Sequence, residues 1–134
     1  MSHEMSSGLA AAEARSLQAL LDGEETAYRR LLRLAMRQNR YLRRQDLARL
    51  EANAADWRRH LPQAESARAM RESYLMQLGD NRGIARAELS MSRLARGTVG
   101  PYGRDLRRGL RRWEETTGEL MRQNSLNGML ARFC

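Results

Sequence analysis

The sequence predicts an all-α protein: an antiparallel helical hairpin joined by a third long helix into a coiled-coil-like three-helix bundle. Three observations lead there. Aromatics make up only 5% of the 134 residues and prolines number two, while nearly every long stretch is built of Ala, Leu, Arg, Glu, Gln or Met, which lose least side-chain freedom in a helix. Apolar residues recur in alternating steps of four and three in three separate stretches, the spacing of a helix seam. Polar residues that interrupt one seam also find a complement in another. At this length one domain, residues 1–134, is expected.

The first seam runs Leu17, Leu21, Tyr28, Leu31, Ala35 and Leu42, with Glu24 and Gln38 in the remaining positions. Leu20, Ala27, Leu34 and Tyr41 widen it, which suits a helix with more than one neighbour. Helix 1 is predicted from about Leu9 to Arg43. Arg43-Arg44-Gln45-Asp46 has no apolar residue, and the Asp46 carboxylate suits an N-cap because it can accept the unpaired amide hydrogens of a new first turn.

A second seam follows through Leu47, Leu50, Ala54, Trp57, Leu61, Ala64, Arg68, Arg71, Leu75 and Leu78. Helix 2 is predicted from about Asp46 to Leu78, ending at Gly79. Pro62 lies inside it, where it deletes a backbone hydrogen bond and clashes with the preceding turn at about 3 kcal/mol if unrelieved, so a kink or break is expected there. One antiparallel register sets Tyr28 against Ala64, Ala35 against Trp57, Leu31 against Leu61, Leu42 against Leu50 and Leu17 against Leu75, large against small or like against like. The same register sets Glu24 against Arg68, predicting an ion pair.

Asp80-Asn81-Arg82-Gly83 reads as a turn, Ile84 to Arg96 as a short extra helix, and Gly97 to Gly103 as a mobile loop. The last seam, Leu106, Leu110, Trp113, Thr117, Leu120, Asn124, Asn127 and Ala131, predicts a third long helix over about residues 104–132. A second apolar edge, Leu126, Met129, Leu130 and Phe133, emerges only near its end. The first dozen residues are too small and polar to be expected in firm order.

Several function classes fall away. Nothing approaches the run of about 18 apolar residues that a membrane span requires, and the start Met1-Ser2-His3-Glu4 lacks the charge and apolar stretch of a signal peptide, so a cytoplasmic protein is expected. Cys134 is the only cysteine, which leaves a thiolate metal site without a second ligand. His3 and His60 are too far apart in sequence to form a ligand pair, and neither a glycine-rich phosphate loop nor a catalytic constellation is present. No cofactor, no metal and no catalytic residue are expected.

The net charge of +8 comes entirely from arginine, for the chain has no lysine. Arg29, Arg33, Arg37, Arg40 and Arg44 share a helical face, and Arg104, Arg107, Arg108, Arg111 and Arg112 form a second cluster. They suit phosphates, yet the stacking aromatics and motifs of nucleic-acid readers are missing. A solvated or acid-binding face is the expectation, with an arginine-rich nucleic-acid binder and a structural coiled-coil subunit as rival readings.

The pattern Leu17, Leu21, Glu24 or Glu25, Tyr28, Leu31-Leu32, Gln38, Leu42, Asp46, Leu50, Glu65 and Arg68 resembles the first half of the FlgN family of flagellar export chaperones. Near the other end, Gln123-Asn124-Ser125-Leu126-Asn127-Gly128-Met129-Leu130 is similar to that family's Asn-x-x-Asn-x-x-Leu signature. The resemblance implies a helical cytoplasmic chaperone, not an enzyme. Such a protein would bind the C-terminal segments of hook-filament junction (hook-associated) proteins, keep them unassembled and deliver them to the type III export apparatus, mainly through its C-terminal helix. The candidate partner-binding residues are accordingly Leu120, Asn124, Leu126, Asn127, Met129, Leu130 and Phe133. Asn124 and Asn127 occupy seam positions, where a polar residue sets register or meets a partner's hydrogen bonds; a solvated or capping pair is the plainer alternative. Leu126, Met129, Leu130 and Phe133 are either an anchor for an amphipathic client helix or packing on the hairpin. Both a monomer and a homodimer stay open.

Overall fold

The structure, a computed structural model, describes residues 8–85 and 89–133, with side chains to Ala131. Four helices and no strand are found among them: α1 (Ala11–Arg44), α2 (Leu47–Arg82), α3 (Met91–Gly97) and α4 (Gly100–Phe133). α1 and α2 form an antiparallel hairpin. α4 lies parallel to α1, as successive contacts of Asp22 with Arg112, Glu25 with Thr116 and Asn39 with Asn127 require. α1 is the central helix, packed against α2 on one side and α4 on the other, whereas α2 and α4 hardly touch.

Gln45, in the left-handed region, closes α1, and Asp46 opens α2 by accepting from the Arg49 backbone at 3.2 Å and its guanidinium at 2.9 Å. The hairpin's apolar layers gather into two clusters. Leu31, Leu34, Ala35, Ala64 and Leu120 form one, with Tyr28, Trp57 and Leu61 packed on it. Leu17, Leu21, Leu78, Leu94, Leu106 and Leu110 belong to the other, where all four helices meet.

Four expectations need correction. Pro62 does not break α2, which is one helix through it; Pro62 and Arg58 are both exposed, so the Arg58 carbonyl that loses its partner faces water. Gly79 does not end α2. It is buried within the helix, where an added Cβ would approach Leu89 to 3.1 Å, and the helix closes instead at Gly83, which takes the left-handed φ of 66°.

The short helix is shorter than expected, because Ser90 caps it by accepting from the Arg93 backbone at 3.1 Å; residues 86–88 of the predicted span lie outside the described residues. Finally, residues 97–103 are not a mobile loop. Only Thr98 and Val99 separate α3 from α4, and Pro101 sits in the first turn of α4, where a missing N–H costs nothing. The Thr98 hydroxyl, buried, accepts from the Leu9 N–H at 3.0 Å and donates to the Leu94 carbonyl at 2.7 Å. Arg107 donates to the carbonyls of Ala95 and Thr98. One arginine of the second basic cluster is thereby structural.

Candidate functional site

With α1 in the middle and its two neighbours apart, the position that a fourth helix would fill is open. A groove runs there along α1. Its first section, about 560 Å³, is floored by Tyr28 and Leu31 of α1 and walled by Trp57, Leu61 and Ala64 of α2 and by Trp113, Leu120 and Met121 of α4. A second section, about 360 Å³, continues it past Gln38, Leu50 and Ala54 to Gly128 and Ala131. Trp57 and Asn124 line both.

One end of the groove is built on charge. Glu24, with 0% of its side chain exposed, accepts from Arg71 at 2.6 and 3.3 Å and from the Tyr28 hydroxyl at 2.6 Å. Arg71 in turn lies 4.9 Å from the Trp113 ring centroid, tying α2 to α4. Burial and the Glu24 carboxylate push the Tyr28 phenol up to about 12. The predicted Glu24–Arg68 pair is therefore corrected to Glu24–Arg71, while Arg68 is exposed and reaches Glu72 on its own helix.

Side-chain direction explains the change. Helix side chains lean toward their own N-terminus, so in an antiparallel pair Glu24 leans toward the C-terminal part of α2 and an arginine must lean back to meet it. Arg71 does; Arg68 would lean away. Glu13 and Arg82 repeat the offset at the hairpin's other end.

On the other flank of α1, Glu25 is buried and accepts from Arg29 on its own helix and from the Thr116 hydroxyl of α4 at 2.7 Å. Burial raises its carboxyl, but these hydrogen bonds and the charges of Arg29 and Arg112 prevail and hold it below the usual carboxylate range.

The structure divides the candidate residues of the last helix. Leu120 is buried beside the groove. Asn124 is exposed at the junction of the two groove sections and makes no hydrogen bond to another described residue. Asn127 is buried, and its amide is fully engaged: the NH2 group donates to the Ala35 carbonyl at 2.6 Å and to Gln38 at 3.0 Å, and the oxygen accepts from Asn39 and Gln123, each at 3.1 Å. Leu126 and Met129, 40% and 54% exposed, do not line the groove; Leu130 is half-buried. The Phe133 side chain lies outside the described residues.

Sequence reasoning missed Asn53, which is buried and donates to the Leu34 carbonyl at 2.9 Å. It also missed Trp113 as a groove wall; its indole N–H is buried without a partner among the described residues. The signal for Asn53 was an asparagine beside the seam residue Ala54, whereas Asn127 was noticed because it occupies a seam position itself.

Among the described residues no group of three or more His, Cys, Asp or Glu is placed to hold a metal ion, and no helix is long and apolar enough to cross a membrane. These helices form an elongated body with an unfilled helix position, walled by tryptophan and leucine. Residues 5–132 match the family model described as FlgN protein, nearly the whole chain, and the chain belongs to that family of flagellar export chaperones. Neither a curated protein nor a solved structure matches it.

Proposed function

We propose that this chaperone holds the C-terminal helix of a hook-filament junction protein in the groove between α2 and α4, prevents its premature assembly and delivers it, in the cytoplasm, to the type III export apparatus. The open fourth-helix position carries the reading. An amphipathic client helix laid there sets its apolar stripe on Leu31, Trp57, Leu61 and Leu120, with Met121 as an adaptable edge. Asn124 meets the client's polar flank with an amide that no other described residue engages. The client's stripe is then covered until it is needed for its own assembly. Leu126, Met129 and Leu130, at the same end of α4, extend the proposed partner surface around the helix, and Phe133 is proposed with them from its place in the sequence. Asn127 supports it from beneath by holding α4 on α1.

Calorimetric titration with the C-terminal peptides of junction proteins tests this, with flagellin's C-terminal peptide and a short DNA duplex as controls. Saturable binding to the junction peptides alone is expected. Binding to DNA only, or to no peptide, overturns the reading.

A further inference from the structure

On the other side of the α1–α2 contact a second depression opens, about 300 Å³, lined by Arg30, Arg33 and Arg37 of α1 and Asp56, Arg59 and His60 of α2. It shares no lining residue with the groove, to which α1 offers Tyr28, Leu31 and Gln38 instead. We propose that this crevice docks an acidic segment of a partner protein other than the client, so that the chaperone carries two binding faces. The inference does not depend on which client the groove takes.

Charge complementarity is the first argument. Residues 27–44 contain seven arginines and no aspartate or glutamate. Arg33 and Arg37 make no hydrogen bond or ion pair to another described residue, although they stand one turn apart, where like charges repel. α1 spends its own acids elsewhere: Glu13, Glu24 and Glu25 are all engaged with arginines. The crevice thus concentrates positive charge that the fold does not neutralise.

The second argument is the kind of anion. Within the crevice the carboxylate of Asp56 is already held by Arg59, so the site displays the interaction that a partner's carboxylate would repeat on Arg33 and Arg37. Guanidinium forks match a carboxylate with two parallel hydrogen bonds. His60 also lines the crevice. No Phe, Tyr or Trp lines the crevice to stack on nucleotide bases. An acidic peptide is the occupant that these groups fit.

Fluorescence anisotropy of a short labelled Glu-rich peptide, titrated with the full chain at about 0.15 M salt, tests the proposal. Saturable binding is expected, weakened about tenfold or more by the double substitution Arg33→Gln, Arg37→Gln. The control pair Arg104→Gln, Arg108→Gln, from the second basic cluster, should leave it within about twofold. Circular dichroism verifies folding, and Arg30→Gln with Arg33→Gln replaces the first pair if that pair unfolds. Absence of saturable binding, equal weakening by both pairs, or tighter binding of a short DNA or RNA duplex than of the peptide overturns the proposal.

Discussion

Asn53 of α2 and Asn127 of α4 clamp consecutive carbonyls of α1, those of Leu34 and Ala35, from its two sides. The two contacts differ in what they leave behind when cut. Asn127→Ala strands the amides of Gln38, Asn39 and Gln123 as well as its own bond, and a loss of about 1–3 kcal/mol is expected. Asn53→Ala removes one hydrogen bond and is expected to cost about 1 kcal/mol. Urea unfolding measures both, and an Asn127→Ala variant as stable as the parent would show that α4 takes its register from apolar packing alone.

Glu24 and Arg71 are a buried pair, 0% and 11% exposed. Removing either partner leaves an uncompensated charge, so Glu24→Leu or Arg71→Leu is expected to cost about 3–5 kcal/mol, and the double variant clearly less than either. Arg68→Leu should be nearly neutral. A double-mutant cycle on unfolding free energies separates this from the Glu24–Arg68 pairing.

Tyr28 supplies a spectroscopic marker of the same cluster. Its phenol is pushed up to about 12 in the folded protein, so its contribution to stability is complete below the ordinary value of 10.0 and is lost as pH rises toward 12. Phenolate absorbance should show one late-titrating tyrosine that disappears in Tyr28→Phe.

Acid should act through Glu25 and Asp46, whose carboxyls are lowered, Glu25 by Arg29 and Thr116 against its burial and Asp46 chiefly by the Arg49 backbone N–H. Groups lowered on folding stabilise above their unfolded values, 4.5 and 3.8, and that stability is lost as pH falls through the folded ones. Stability should therefore decline below about pH 4.5, with a shallower decline in Glu25→Gln. Thermal melts from pH 7 to 3 are the measurement, and parallel curves for both proteins would refute the assignment.

Asn124 and Leu126 lie two residues apart but on different surfaces of α4. Asn124→Arg fills the groove where its two sections join and should weaken junction-peptide binding about tenfold or more with helicity intact; Leu126→Ser with Met129→Ser should weaken it less. The opposite order in calorimetry would move the client from the groove to the helix's outer edge.

The hairpin and its apolar layers were legible because they follow from periodicity: Tyr28, Leu31 and Ala35 share a cluster with the α2 residues set against them. Ion pairing was less legible. Backbone register alone faces Glu24 with Arg68, and the lean of long side chains moves the partner to Arg71. Glycine misled where close contacts decide: Gly79 is small to admit Leu89, and Gly103 because a Cβ would stand 2.0 Å from the Thr98 carbonyl oxygen. Composition reads such residues as loop, whereas here their smallness admits a neighbour, a side chain at Gly79 and a backbone at Gly103. The groove itself was not legible, since it depends on how far α2 and α4 stand apart away from their contact at Arg71 and Trp113.

Because α2 and α4 are each seated on α1 and scarcely on one another, the two walls are separable parts. Away from the Arg71–Trp113 contact, a bulkier side chain between α1 and α2 tilts one wall without pressing on the other. The width of the groove can thus be changed at residues that do not line it.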